Sequence, residues 1–339
     1  MLSIALKKIP LLVLTGGFLC ASATASTNNN QSINDAVGAL SALLVDAKSG
    51  RVLFSRQPDK PYQPASTIKL LTALVVAEET GLRGTAVVNA QDIAISTPGA
   101  SMANLRNGST HDVRDLTRLM LVRSCNDVAS VLAAHVAGSE SAFVRKMQSC
   151  AREIGALSTV VCNPHGLPDP QQVTTARDLL RIFQRVLAHP TLRAFCQERL
   201  ASIDTVNGPV TFASTNRLLR TYPGMGPAKT GYTRSARHTY AASATRNGNE
   251  LHLVLLNSPN KWADARALFD YGFAVLEGRK PSNAQPQSSP QVGPAKPARV
   301  VSKSFAVNGA PQKTIPFEEF ASVQKTTHRA DKTGVATIR

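Results

Sequence analysis

The sequence has 339 residues, enough for one large domain or two ordinary ones, and its apolar content suits a protein with a buried core. It carries 38 Lys and Arg against 22 Asp and Glu. This balance suits an anionic membrane or wall surface, or reflects only a basic proteome. Nucleic acid binding is disfavoured, because aromatic residues are not interleaved with Arg and Lys.

The first 25 residues have the features of a secretory signal peptide. Lys7 and Lys8 precede a mostly apolar run, Ile9–Cys20, which is too short to span a bilayer. Ala23-Thr24-Ala25 fits a cleavage site with small residues at its first and third positions. We therefore expect an exported, periplasmic protein, with association to the inner membrane left open.

The composition divides the rest of the chain. Residues 26–37 are polar and Asn-rich and are expected to form a flexible leader, and residues 38–278 have the pattern of a folded domain. The composition of residues 279–339 predicts a Pro- and Gln-rich linker followed by a basic, disordered tail. Its positive charge predicts at most a weak contact with a membrane or wall surface.

Export changes how the four remaining cysteines are interpreted. An oxidising compartment permits a disulfide, for which the pair Cys150 and Cys162 is preferred, and four free buried thiols are the alternative.

The folded region begins with a predicted hairpin. Leu40–Asp46 and Arg51–Ser55 have strand composition, and Ala47-Lys48-Ser49-Gly50 forms the turn between them. A helix is then expected from Ser66 to about Glu79. It is apolar almost all round, which predicts a central, buried helix.

Helices fill the middle of the chain and strands follow. Asp112 is a good N-cap for a helix that is interrupted at Arg123–Asn126. The further predicted helices are 127–137, 143–154, 175–187 and 263–276, and the predicted strands are 228–233, 238–244 and 251–256. Strands at both ends predict an α+β fold, with an antiparallel sheet flanked by helices and a mostly helical subdomain.

Three short motifs combine into one chemical signature. Ser66-x-x-Lys69 puts a hydroxyl and an amine one turn apart at a helix start, where a desolvated lysine can accept the proton of the serine. Ser124-x-Asn126 lies on the break between two helices, and Lys229-Thr230-Gly231 opens a strand. Each motif alone is common, but the three in this order in an exported chain are specific.

The motifs resemble those of penicillin-binding proteins and serine β-lactamases, which implies the β-lactamase/transpeptidase-like fold. Several further stretches are similar to the D-alanyl-D-alanine carboxypeptidases among the low-molecular-mass penicillin-binding proteins. These stretches are Pro64–Ala73, Ser124–Asp127, Asn163–Leu167, Thr174–Ala176, Thr215–Leu219 and Tyr271–Phe273. The resemblance covers roughly residues 38 to 278, and implies that peptidoglycan stem peptides are the substrates and that β-lactam antibiotics inhibit covalently.

The resemblance also implies a role for each motif residue. Ser66 is expected to be the acylated nucleophile, Lys69 its proton acceptor, and Ser124 the proton relay to the leaving group. The substrate-binding residues implied are Asn126, Lys229, Thr230, Gly231 and Tyr232. The backbone N–H groups of Ser66 and Tyr232 are the implied oxyanion hole.

Some residues depart from the pattern or suggest other chemistry. Arg237 stands where many relatives have glycine, and either narrows the site, binds a carboxylate or faces solvent. Cys125 is larger than the residue usual at its position, and packing is the simplest role for it. His111, His165 and His238 are interpreted as structural, because the lysine already supplies a base. No metal or cofactor is expected, since no metal-ligand spacing occurs.

Three alternatives to a carboxypeptidase remain at this point. A D,D-endopeptidase that cuts wall cross-links has the same motifs. A class A β-lactamase is disfavoured, because no acidic residue follows Glu153 before Asp169 to activate the deacylating water. A catalytically dead wall-binding protein is disfavoured by the intact motifs.

Overall fold

A computed structural model describes residues 33–95, 97–205 and 208–279. The predicted signal peptide, the first part of the predicted leader and the predicted tail therefore lie outside the described residues. All described residues belong to one compact unit, Met1–Gln287. Within them, no helix is both long and apolar enough to cross a membrane.

The main element is a five-stranded antiparallel sheet with the order β2-β1-β9-β8-β7. Its strands are β1 (Ser41–Asp46), β2 (Val52–Arg56), β7 (Met225–Thr233), β8 (Arg237–Arg246) and β9 (Asn249–Ser258). Two small antiparallel ribbons are formed by β3 (Thr85–Val87) with β4 (Thr110–Asp112), and by β5 (Leu200–Thr205) with β6 (Gly208–Ala213). The predicted α+β class is confirmed.

Helices occupy the segments between the strands. They are α1 (Lys69–Thr80), α2 (Val113–Arg123), α3 (Asn126–Ala137), α4 (Glu140–Glu153), α5 (Ala176–Ala188), α6 (Pro190–Gln197), α7 (Leu218–Thr221) and α8 (Lys261–Leu276). A 3-10 turn, Ala65–Ile68, leads directly into α1. Sequence reasoning missed α6 and the β5–β6 ribbon.

The sheet separates two hydrophobic cores. On β9, Leu251, Leu253 and Leu255 face one core with α8, whereas Val254 and Leu256 face the other core with the middle helices. This alternation follows from the period of two residues in a strand. In α1 every residue from Lys69 to Ala77 is buried, which confirms the prediction of a central helix.

Helix caps explain where several helices begin. The Asp112 carboxylate accepts from the backbone N–H of Arg114 and Asp115, as its sequence position predicts. Thr175 accepts from the N–H of Asp178 at the start of α5. Helix α4 begins three residues before the predicted Phe143, because Ser139 caps it.

Two expectations from the sequence are wrong in the described residues. The leader prediction fails at residues 33–37, because residues 33–36 form a helical turn and Ile33 and Val37 are buried in the core with the sheet. Arg56 donates to the carbonyl of Val37 at 2.5 Å. The preferred disulfide is absent, and Cys150 and Cys162 are free thiols. The Cys150 thiol contacts Glu78 at 3.7 Å, and Cys162 interacts with a different partner, Asp169.

Candidate active site

Ser66 lies on the 3-10 turn at the entrance of α1. Its hydroxyl accepts a hydrogen bond from Lys69 Nζ at 3.0 Å and lies 3.4 Å from the carbonyl oxygen of His165, to which it can donate. The preceding residue, Ala65, has a φ of +47°, a conformation that costs a non-glycine residue free energy. The chain therefore holds Ser66 in a fixed, strained turn.

Lys69 is fully buried, and its Nζ lies within hydrogen-bond distance of three oxygen atoms. Besides Ser66, Nζ donates to Asn126 Oδ1 at 2.6 Å and to the carbonyl oxygen of His165. All three acceptors are uncharged. Burial, and then the charge of Lys229, hold the pKa of Lys69 well below its ordinary value. A neutral amine beside a hydroxyl is the arrangement that a general base requires.

Ser124 and Lys229 form a second pair of hydroxyl and amine. Ser124 ends α2 in the left-handed conformation, with a φ of +73°, and this turn points its hydroxyl towards β7. Lys229 Nζ donates to Ser124 Oγ at 2.7 Å and to the carbonyl of Thr230 at 2.8 Å. Burial lowers the pKa of Lys229 to about 7.

Asn126 begins α3 and is held by the loop between β3 and β4. Its backbone N–H donates to the carbonyl of Ser101 at 2.8 Å. The neighbouring Asp127 carboxylate accepts from the N–H of Ala103 at 2.9 and 3.0 Å and from that of Leu105 at 3.3 Å. Asp127 therefore fixes one wall of the site, a positioning role that its place next to Asn126 suggests.

Strand β7 brings the third motif against Ser66. A Cβ on Gly231 would lie 2.9 Å from the backbone nitrogen of Ser66 and 2.3 Å from Thr239 Oγ1, so only glycine fits. Thr230 Oγ1 shares a hydrogen bond with Thr215 Oγ1 at 2.7 Å. Tyr232 follows at the edge and is 59% exposed. The three predicted motifs therefore meet in one place.

The loop 163–170 supplies residues that sequence reasoning did not assign to the site. The carbonyl of His165 contacts both Ser66 and Lys69. Gly166 has a φ of +83°, and a Cβ there would lie 2.1 Å from the carbonyl oxygen of Ala65. Asn163 Oδ1 accepts from the N–H of Gly166 at 2.7 Å. The sequence signal is the Asn163–Leu167 stretch, which resembles the family but by itself assigns no side chain or carbonyl to the site.

Sequence comparisons relate this chain to known proteins. The sequence profile of the D-alanyl-D-alanine carboxypeptidase family matches residues 25–260. This chain belongs to that family. The D-alanyl-D-alanine carboxypeptidase DacB2 of Mycobacterium tuberculosis is 35% identical over 69% of this chain and 81% of its own length. A D-alanyl-D-alanine endopeptidase of Pseudomonas aeruginosa is 32% identical over 67% of this chain and 75% of its own length.

A solved structure has the same fold. The crystal structure of a D-alanyl-D-alanine carboxypeptidase from Mycobacterium tuberculosis matches 74% of this chain and 93% of its own, with 33% identity and a TM-score of 0.66. Membership of this carboxypeptidase family makes the protein a serine-type hydrolase, and the sequence-based recognition of the family and of its fold is confirmed.

The rings of His111, His165 and His238 have partners other than Ser66. Burial and the charge of Lys69 lower the pKa of His165 to about 3, so its ring is neutral near pH 7. His111 Nε2 contacts Ser109 Oγ at 2.9 Å, and burial lowers its pKa. His238 Nδ1 lies 2.9 Å from Lys261 Nζ, and burial lowers its pKa to about 4.

Further cationic and thiol groups border the site. Lys261 is buried, and burial lowers its pKa to about 8. Its charge lowers the pKa of Lys229. The sequence did not predict that Lys261 lies near Lys229. Arg237 is exposed and has a φ of +56°. Burial raises the pKa of the Cys125 thiol to about 12, which favours a packing role. Among the described residues, no group of three His, Cys, Asp or Glu side chains could hold a metal ion.

Proposed function

We propose that this family member is a serine-type D-Ala-D-Ala carboxypeptidase that removes the terminal D-alanine from peptidoglycan stem pentapeptides through an acyl-enzyme on Ser66. The observation that carries the proposal is the contact between Ser66 Oγ and Lys69 Nζ at 3.0 Å, since the lysine is buried with a lowered pKa. A serine that is activated in this way performs acyl transfer.

The proposed acylation needs both pairs of hydroxyl and amine. Neutral Lys69 takes the proton of Ser66 as Oγ attacks the carbonyl of the penultimate D-alanine. Ser124 then passes a proton to the amine of the leaving D-alanine, and its 2.7 Å contact with Lys229 supports this relay. The peptide C–N bond breaks and an ester to Ser66 remains. Attack of water on that ester releases the shortened peptide.

The negative charges of the reaction need donors that are already oriented. We assign the oxyanion hole to the backbone N–H groups of Ser66 and Tyr232, because Gly231 lets β7 lie directly against the serine turn. We assign the terminal carboxylate of the substrate to Thr230 and its hydroxyl partner Thr215, in the positive field of Lys229. Asn126 is assigned to the amide groups on the acyl side.

The first test is covalent labelling. β-Lactams mimic the D-Ala-D-Ala end, so a fluorescent penicillin should label one peptide, the one that contains Ser66. Label on a different peptide, or none at all, would contradict the assigned nucleophile. Incubation with a pentapeptide that ends in D-Ala-D-Ala should then release free D-alanine.

The endopeptidase remains the second candidate, because relatives with that name are about as similar to this chain as several named carboxypeptidases. A cross-linked dimer of stem peptides distinguishes the two activities. Cleavage of the dimer without release of D-alanine from the pentapeptide would replace the carboxypeptidase proposal. Rapid catalytic loss of penicillin would instead indicate a β-lactamase.

The place of action is part of the same proposal. We propose that the protein is exported to the periplasm, where its substrate is assembled, because its first 25 residues resemble a signal peptide. Residues 280–339 carry nine Lys and Arg against three acidic residues, which supports weak contact with an anionic membrane or wall surface.

A further inference from the structure

A cavity of about 280 Å³ opens beside the proposed active site. Its walls come from the loop that follows β3, from α3, from the start of α4 and from the loop that carries His165. The side chains relevant to its chemistry are Asp92, Ser130, Glu140, His165 and Leu167. None of these residues has a role in the proposed acylation except through the backbone carbonyl of His165.

The cavity lies next to the acyl side of the site. Ser130 follows Asn126 by one helical turn on α3, so the two side chains share a face of that helix. His165 contacts Ser66 and Lys69 through its carbonyl and lines the cavity. His165 therefore lies between the cavity and Ser66. This is the side on which Asn126 is proposed to bind the acyl portion of the substrate.

The cavity has the opposite charge to the catalytic centre. Glu140 projects a carboxylate whose nearest partners are Ser130 Oγ at 3.5 Å and His165 Nε2 at 3.9 Å. The ring of His165 is neutral near pH 7, so this contact is not an ion pair. Asp92 adds a second carboxylate, which accepts from Asn89 Nδ2 at 3.0 Å. The side chain of Glu140 is 44% exposed, so a cation from solvent can reach it.

We propose that this cavity is a subsite for an ammonium-bearing side chain on the acyl side of the scissile bond, with Glu140 as its ion partner. The inference rests on the proposed carboxypeptidase function and adds a substrate preference to it. An ammonium group would pair with Glu140 and donate a hydrogen bond to Ser130 Oγ, while its carbon chain packs on Leu167. Glu140 acts on selection of the peptide and does not touch the reacting atoms.

The test uses two peptides that differ only in one charge. The first is Nα-acetyl-L-lysyl-D-alanyl-D-alanine with a free side-chain amine, and the second carries an acetyl group on that amine. The full chain should release D-alanine from the free amine with a kcat/KM about fivefold higher, the size expected for one partly exposed ion pair. The preference should shrink at high salt, because salt screens the pair.

Variants locate the preference in the cavity. Glu140→Gln should bring the ratio of the two kcat/KM values close to one, mainly through KM for the free amine, and Glu140→Lys should reverse the preference. Glu153→Gln is the matched control, since it removes a carboxylate from the same helix; Glu153 accepts from Ser149 and lies outside this cavity. It should keep the wild-type ratio.

The outcomes separate the two proposals. Release of D-alanine at equal rates from both peptides by the wild-type chain overturns the subsite and leaves the carboxypeptidase standing. An equal fall of both rates in Glu140→Gln, with the ratio kept, also overturns it, because Glu140 would then support the chemistry or the fold. No release from either peptide, in protein that penicillin labels at Ser66, overturns the carboxypeptidase and the subsite with it.

Discussion

At the scale of single residues, the two buried lysines of the site determine which of them is protonated. Desolvation lowers the pKa of both Lys69 and Lys229, and the charge of Lys229 lowers that of Lys69 further. Neither amine contacts a carboxylate in the hydrogen bonds that hold it. The pair is therefore most stable with a single positive charge. The proposed mechanism places that charge on Lys229 and leaves Lys69 as the neutral base.

The shared proton predicts a pH dependence of acylation. Below the lowered pKa of Lys69 the base is protonated, so the rate should rise with pH. As pH passes about 7, Lys229 loses its charge and the rate should fall. Lys229→Arg keeps a charge at every accessible pH, so the falling limb should move up by more than about one pH unit. The rate of Ser66 labelling by fluorescent penicillin measures this, and an unmoved limb would assign it to another group.

Gly231 allows a second prediction at the residue scale. Gly231→Ala forces either the Ser66 turn or Thr239 to shift, because the added Cβ lies under 3.0 Å from both. We expect the rate of acylation to fall about 100-fold, as for a misplacement of about 1 Å. The measurement is the labelling rate per folded molecule.

Gly226 provides the control on the same strand. A Cβ there would lie 2.7 Å from Ser243 Oγ, about 17 Å along β7 from Gly231. Gly226→Ala should lower the free energy of unfolding by about 1–3 kcal/mol and leave the labelling rate near wild type. Equal loss of labelling in both variants would mean that the effect of Gly231→Ala is general to the strand.

At the scale of elements, helix α1 connects the proposed nucleophile Ser66 to the loop 163–170. Thr72 lies one turn after Ile68, and its hydroxyl donates to the carbonyl of Pro164 at 2.6 Å, where both groups are inside the protein. This bond adds to the contacts of Ser66 and Lys69 with His165. The loop is therefore fixed along the same side of α1 as Ser66 and Lys69, the proposed nucleophile and base.

Removing that hydrogen bond should lower the free energy of unfolding and make the loop 163–170 less rigid. Thr72→Val keeps the shape of the side chain but leaves the Pro164 carbonyl without this donor, which should cost about 1–2 kcal/mol of unfolding free energy. Thr117→Val is the matched control: Thr117 is equally buried, but its acceptor, the carbonyl of Val113, belongs to its own helix and keeps a backbone bond. Urea unfolding should show a lower unfolding free energy for Thr72→Val and almost no change for Thr117→Val.

The elements that sequence could predict are those whose signals are local. The buried α1, the Asp112 and Thr175 caps and the strands of the sheet follow from periodicity and capping chemistry. The β5–β6 ribbon and α6 were missed, because short exposed strands and an eight-residue helix have weak periodicity. The closeness of Glu140 to His165 has no local signal either, because the two residues belong to separate segments that meet only by packing.

At the scale of the whole molecule, the candidate site lies where the two cores meet. Ile68 and the helices α1 to α6 belong to one core, whereas Ala228 and Tyr240 of the neighbouring strands belong, with α7 and α8, to the other. The motifs therefore come together only when the sheet and the helices are both folded. Their order and residue types could be predicted from sequence, but the 2.7 Å contact between Lys229 Nζ and Ser124 Oγ depends on packing between distant segments.

The basic tail leads to the last prediction. Residues 288–339 follow the compact unit and carry eight Lys and Arg against three acidic residues. A chain that ends at Gln287 should keep the penicillin labelling rate, because all of the candidate site residues precede that position. It should bind less strongly than the full chain to vesicles with anionic lipid, since each basic residue near such a surface contributes about 1 kcal/mol.

Sedimentation with vesicles at low and high salt measures the difference. Binding of the full chain should fall as salt rises, because surface charges more than about 8 Å apart are screened at physiological ionic strength. A full-length variant with those eight residues changed to Gln keeps the length and removes the charge, so it should behave like the shortened chain. Equal, salt-sensitive binding by all three proteins would assign the contact to the basic surface of the folded unit instead of the tail.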